Sequence, residues 1–165
     1  MDRVEIRRLE PGDWEVFRDL RVAALSDAPH AFGSTLDGEQ RLGEADWRAK
    51  LASRAQFVAG DAARDAARDD TPIGTVGAYR EGDVMELISM WVDPRRRGHG
   101  IATALVDRVI VHARSLGCSE VRLWVAEGNT VAERLYRRCG FAWTGAVQRI
   151  RPDEPRSEAE MVRVL

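Results

Sequence analysis

A single domain of mixed α/β architecture is what the sequence predicts, and three observations predict it. The chain has 165 residues, enough for one core of ordinary size and too few for two. Its apolar residues change period along the chain, alternating as strands do in some stretches and recurring at helical spacing in others. The second half runs strand, helix, strand, helix, with a glycine at the end of each helix, which is the order of a layered α/β unit.

Val4 to Leu9 alternates apolar and charged side chains and reads as a half-buried strand, broken by Pro11-Gly12-Asp13. Trp14, Phe17, Leu20, Ala24 and Leu25 then form the apolar stripe of a helix that runs to about Ala28 and stops at Pro29. Residues 30–42 read as a long connection, of the kind that often carries function, ahead of a short helix around Glu44 to Ser53. Gln56 to Gly60 is a strand. The repeat Asp61-Ala62-Ala63-Arg64, Asp65-Ala66-Ala67-Arg68 and the Asp69-Asp70-Thr71-Pro72 after it read as a solvated loop or a frayed helical turn. Ile73 to Tyr79 and Val84 to Val92 make an antiparallel hairpin about the turn Arg80-Glu81-Gly82-Asp83. Ile101, Leu105, Val109, Ala113 and Leu116 line one face of a long helix that Gly117 caps. Val121 to Ala126 is the next strand. Thr130 and Glu133 have the spacing of a capping box, and Val131, Ala132, Leu135, Tyr136 and Cys139 line a helix that Gly140 ends. Phe141 to Gln148 and Ala159 to Leu165 are strands joined by the polar stretch Arg151 to Glu158.

Composition excludes several classes. Apolar residues at 44%, charged residues at 32% and a net charge of −2 describe an ordinary soluble domain, without the basic excess of a non-specific nucleic-acid binder. Charges occupy Met1 to Glu5 where a signal peptide needs an apolar stretch, and no run approaches the roughly 20 apolar residues of a membrane span, so a cytoplasmic protein is expected. Cys118 and Cys139 lack metal-ligand spacing and are expected as free thiols, with no metal bound.

Chemistry concentrates in the segment Met90-Trp91-Val92-Asp93-Pro94-Arg95-Arg96-Arg97-Gly98-His99-Gly100-Ile101-Ala102, where a strand passes through a glycine-rich turn into a helix. The first helical turn has N–H groups without intrahelical partners, its dipole favours negative charge, and glycines let phosphate oxygens come close to the main chain. The arginines add charge and forked donors. The same turn also serves as a plain strand-to-helix connection with solvated arginines. A Rossmann fingerprint needs a third glycine where Thr103 stands, and the Gly-Lys-Ser/Thr of a Walker loop is absent.

Arg95-x-x-Gly98-x-Gly100 after Val92-Asp93-Pro94 resembles the acetyl-CoA pyrophosphate motif of the GNAT superfamily of N-acetyltransferases. Asn129, Ala132, Leu135-Tyr136 and Gly140-Phe141 resemble a later motif of the same family, in order and at its spacing. The resemblance covers essentially the whole chain. It implies the GNAT fold, a mostly antiparallel twisted sheet of roughly six to seven strands, splayed between the fourth and fifth and flanked by about four helices. It also implies acetyl-CoA as co-substrate and transfer of the acetyl group to a primary amine in a ternary complex.

By the same resemblance, the main chain of Met90, Trp91 and Val92, often beside a bulge, pairs with pantetheine. Arg96, Arg97, Gly98, Gly100, Ile101 and Ala102 contribute to the pyrophosphate site, with Arg95 at the motif's first position. His99 fills a variable position without a catalytic role. Tyr136 matches the tyrosine that protonates the departing thiolate, a role that suits a phenol, although it also lies on an apolar stripe where a core residue would stand. Asn129 reads as a helix N-cap that also touches the cofactor. Glu86 matches the position of a catalytic glutamate in some members and is the candidate base, and it also reads as an anion that binds the acceptor or as a solvated strand residue; Glu127 is a poorer base, and other members use water. Phe32, Trp47 and Trp143 would line the acceptor groove by analogy, while each also suits a core.

The acceptor is an amine whose identity the sequence does not choose, small molecule or protein, and the chain would act as monomer or homodimer without nucleic acid or membrane. Two other classes stay open: a non-catalytic acetyl-CoA-binding sensor of the same fold, and an anion-binding α/β domain outside the family whose arginines serve another phosphate ligand.

Overall fold

The structure is a computed structural model that describes residues 4–61 and 72–165. Among them the chain forms β1 (Val4–Arg8), α1 (Trp14–Asp27), α2 (Leu36–Gln40), α3 (Glu44–Ser53), β2 (Ala55–Asp61), β3 (Gly74–Glu81), β4 (Val84–Val92), α4 (Ile101–Ser115), β5 (Glu120–Ala126), α5 (Thr130–Arg138), β6 (Ala142–Arg149) and β7 (Ser157–Val164). The Asp-Ala-Ala-Arg repeat expected as a solvated loop falls mostly on residues 62–71, outside the described residues.

The strands form one sheet in the order β1-β2-β3-β4-β5-β7-β6. Every neighbouring pair is antiparallel except β4 and β5, which run parallel and pair only at Val84 with Glu120, Met85 with Val121 and Glu86 with Arg122. Beyond Glu86 the two strands part, so the mixed, splayed sheet expected from the sequence is present.

Alternation along the strands feeds two cores. One face, with Phe57, Val76, Met85, Leu87, Val121, Leu123 and Met161, packs under Ile101, Leu105 and Val109 of α4 and Leu135 of α5. The other receives α1 and α3 through Phe17, Leu20, Leu25, Trp47 and Leu51. The parity of β4 changes midway. Met85 and Leu87 face α4, yet so do Met90 and Val92, while Trp91 joins the opposite core. One extra residue accounts for the change: Thr75 pairs with Trp91 but Gly77 pairs with Ile88, and Ser89 has a φ of +57°.

Several boundaries differ from the sequence reading. The connection 30–42 contains α2, started by the Thr35 hydroxyl, which accepts from the Gly38 N–H at 3.1 Å; five polar-leaning residues are too few to show a helical period. Arg80 and Glu81 belong to β3, leaving Gly82 and Asp83 as the turn, because their register with Met85 and Val84 continues the ladder. Asn129 caps α5, its Oδ1 accepting from the Ala132 N–H at 3.2 Å, and Glu133 pairs with Arg137 instead of closing a capping box with Thr130. Gly117 caps α4 with a φ of +71°, as its position predicts. Both cysteines are buried free thiols.

Candidate active site

The parting of β4 from β5 opens a cleft of about 750 Å³ that crosses the sheet and runs between its two helical layers. Ile88 to Val92 line it from β4, and Leu123 to Ala126 from β5. Strands that separate leave main-chain donors and acceptors without ladder partners, and a ligand with amide groups satisfies them.

At one end stands the glycine-rich turn. Asp93 fixes its start: its carboxylate accepts from the Arg95 N–H at 2.9 Å and from the Arg95 guanidinium at 2.7 and 3.1 Å, bonds that hold its carboxyl down at about 2. Arg97 is tied back on both sides, Nε donating to the Val92 carbonyl at 3.0 Å and Nη2 to Asp27 at 2.6 Å. The same Asp27 oxygen accepts from Trp91 Nε1 at 3.0 Å, which joins the end of α1 to the turn. The ring Nδ1 of His99 lies 2.9 Å from the Arg97 carbonyl and braces the loop. Gly98 and Gly100 both have a φ of +79°, and no atom stands within 4 Å of where a Cβ would project from either. That open space lies before the first turn of α4, whose Ile101, Ala102 and Thr103 N–H groups have no intrahelical acceptors. The turn therefore fits a phosphate-bearing ligand.

In the middle of the cleft α5 presents Tyr136, packed edge-on to Phe141 at 5.8 Å. Its ring is 6% exposed, and burial, with a smaller effect of Cys139, pushes its phenol well above the ordinary value. The hydroxyl therefore holds its proton throughout the neutral range.

The far end lies under the α1–α2 connection. Phe32, Gly33 and Ser34 form one wall, and Trp124 with Glu158 another. The β6–β7 loop fastens over it: Arg151 Nη1 donates to the carbonyls of Phe32 and Gly33, each at 3.3 Å, and Arg156 Nη2 to that of His30 at 3.2 Å. Deeper on this side, Arg21, Lys50 and Arg54 line the cleft around the carboxylate of Glu39. Arg21 Nη2 and Lys50 Nζ donate to Glu39 at 3.2 and 3.3 Å. Burial pushes the Glu39 carboxyl up, but the two cations outweigh it and hold the group below its ordinary value.

Of the residues singled out in the sequence, Phe32, Met90, Trp91, Val92, Arg96, Arg97, Gly98, Gly100, Ile101, Ala102, Asn129 and Tyr136 meet in this cleft. Others stand apart. Arg95 is engaged by Asp93 on the surface. Trp47 is 1% exposed and packs in the core edge-on to Phe17 at 5.3 Å, because the buried stripe of α3 turns it inward. Trp143 is on β6 opposite Met161, toward the α5 layer. Glu127 follows β5, outside the lining. Glu86 lies where β4 and β5 still pair, short of the lining; its carboxyl is pushed up by burial first and by Glu160 next, with Arg122 opposing. Sequence reasoning missed Ser89, Trp124, Glu158 and the whole Arg21, Glu39, Lys50, Arg54 cluster. Alternation against Leu123 and Val125 would have flagged Trp124.

Residues 15–141 match the model of the Acetyltransferase (GNAT) family. Over 143 residues the chain is 33% identical to a mycothiol acetyltransferase of Thermobispora bispora, a match that takes in 86% of this chain and 48% of that protein, so the chain spans about half the relative's length. In fold it is similar to an acetyltransferase of GNAT family from Streptococcus pneumoniae, with a TM-score of 0.77 at 19% identity over 99% of this chain and 100% of the other. It is similar also to a spermidine N-acetyltransferase from Vibrio cholerae, solved with CoA and spermine, with a TM-score of 0.73 at 20% identity over 98% and 95%.

Proposed function

Because the chain belongs to the acetyltransferase (GNAT) family, we propose that it is an acetyl-CoA-dependent N-acetyltransferase acting on a primary amine by direct attack in a ternary complex. The observation that carries this reading is continuity: one cleft joins the phosphate-fitting turn, the unpaired edges of β4 and β5, Tyr136 and a walled chamber. A donor bound at the turn thus ends beside Tyr136, with an acceptor entering from the other side.

Acetyl-CoA supplies the thioester that the amine attacks; the remaining roles fall to the chain. Gly98, Gly100 and the first turn of α4 bind the pyrophosphate, with Arg96 beside them, and Met90 to Val92 pair with pantetheine. An amine has a pKa of about 10.4 in water and must lose a proton before it attacks. Glu86, with its raised carboxyl pKa and its place on the same sheet face as Ile88, receives that proton through water, since its side chain stands short of the cleft. As the C–N bond forms and the C–S bond breaks, the Tyr136 hydroxyl gives its proton to the leaving sulfur.

Thermal unfolding with acetyl-CoA, CoA and ATP, followed by thiol release over a panel of amines, tests the reading. Stabilisation by both CoA species and not by ATP, with amine-dependent thiol release, is the expected result. Stabilisation without release on any amine would leave a sensor, and no stabilisation at millimolar acetyl-CoA would overturn the cofactor assignment.

A further inference from the structure

The chamber at the acceptor end has an unbalanced charge. Three cations, Arg21, Lys50 and Arg54, line it around the carboxylate of Glu39, with Glu158 on another wall. Glu39 is already taken, its Oε1 by Arg21 and Lys50 and its Oε2 by Lys50. Arg21 is 4% exposed and its Nη1 is buried without a hydrogen-bond partner. The Arg54 side chain makes no hydrogen bond among the described residues; its guanidinium lies 5.9 Å from the Phe17 ring, and burial together with Arg21 lowers its pKa. Arg21 thus keeps a buried guanidinium nitrogen unanswered beside the cleft, and the half-buried Arg54 stands next to it without a side-chain acceptor among the described residues; a forked cation matches an oxyanion in geometry and charge. The same cleft also presents a carboxylate, Glu158, which accepts from Gln148 Nε2 at 2.8 Å and stands ready for a cation.

We propose that this chamber is an oxyanion subsite and that the acceptor is a zwitterion, an amine that also carries a carboxylate or phosphate held by Arg21, Lys50 and Arg54. The inference rests on the acetyltransferase reading and names its substrate class. An all-cationic amine meets repulsion there, and a neutral one leaves the guanidinium N–H groups unanswered.

The test is calorimetric binding to the CoA-loaded protein, then acetyl transfer, with a panel of amino acids beside their amides and phosphoethanolamine beside ethanolamine. At least one oxyanion-bearing member should bind tenfold or more tightly than its counterpart without the oxyanion, and the successful pair tells carboxylate from phosphate. In Arg54→Met, and separately in Lys50→Met, the preference should fall toward unity while thermal unfolding reports a folded protein. Equal binding within every pair, or a preference untouched in both variants, overturns the subsite. Preferential binding without transfer upholds the subsite and removes the acetyltransferase reading; transfer without preference does the reverse.

Discussion

Replacing Glu39 by Gln probes the one deeply buried ion pair of the acceptor wall. The side chains of Arg21 and Glu39 are 5% and 3% exposed. Breaking such a pair by removing one charge costs about 3 to 5 kcal/mol, because the surviving ion stays buried without compensation. Gln keeps an oxygen for Arg21 Nη2, and Lys50, 30% exposed, is within reach of water. The low end, about 3 kcal/mol, is therefore expected. For a chain of this size that is a fall in melting temperature of about 6 to 12 °C, or a urea midpoint lower by about 1 to 2 M. The pH dependence follows from the sign of the shift. Glu39 titrates lower folded than unfolded, so its contribution is full above the ordinary carboxylate value and disappears as pH falls through the depressed one. The wild type should lose this stability in acid, while Glu39→Gln lacks it at every pH. Urea unfolding at neutral pH and again well below the ordinary Glu value, where the folded carboxyl also takes up its proton, reads both effects. A variant within about 1 kcal/mol of wild type at neutral pH, the median worth of an exposed pair, would refute the argument from burial. Arg21→Met combined with Glu39→Leu should recover most of the loss, since an apolar pair leaves no buried charge.

Tyr136→Phe should lower kcat by about 100-fold or more, the usual worth of a general acid, with acetyl-CoA still raising the melting temperature; an unchanged kcat removes Tyr136 from the chemistry. Glu86→Gln should flatten the acid limb of the kcat/KM profile, which in wild type falls off above the ordinary carboxylate range because the Glu86 pKa is raised. The same limb in both proteins would mean that another group takes the proton. Gly77→Ala should destabilise by about 1 to 3 kcal/mol in chemical unfolding. Its Cβ would stand 2.8 Å from Gln56 Oε1 and 3.1 Å from Ile88 Cγ1, and Gln56 is fully buried with its amide held by Thr75 at 2.6 Å. A neutral result there would show that β3 shifts freely beneath the bulge.

The residues that proved legible in the sequence are those whose role is local. The glycines of the turn declare themselves because positive φ and close approach are properties of one position, and the stripes of α1 and α4 because burial repeats with the helix period. Arg21 shows the limit. It interrupts the buried stripe between Leu20 and Ala24, and only Glu39, 18 residues away in a connection without period, makes its burial possible. Trp47 is an aromatic candidate in the sequence and Trp124 is not, and packing reverses them: α3 turns the first into the core, while alternation on β5 turns the second into the cleft. Glu158 was placed in a polar link because the ladder of β7 starts before its first apolar residue, held by the partners Ala126 and Gln148. Ser89 carries no local signal at all, since its backbone is dictated by neighbours on β3.

That one inserted residue gives β4 two phases, and a side chain's audience depends on which phase it occupies. Before Ser89 the even-numbered positions, Glu86 and Ile88, look toward the α1–α3 layer; after it the odd-numbered Trp91 does. The strand is in effect two instruments on one string, tuned separately. Diversifying position 88, which lines the cleft, would retune what it admits while leaving the Trp91–Asp27 anchor of the turn in place. Deleting Ser89 would instead place Ile88, Met90 and Trp91 opposite Gly77, Val76 and Thr75 in unbroken register, removing the bulge while every downstream side chain keeps its face.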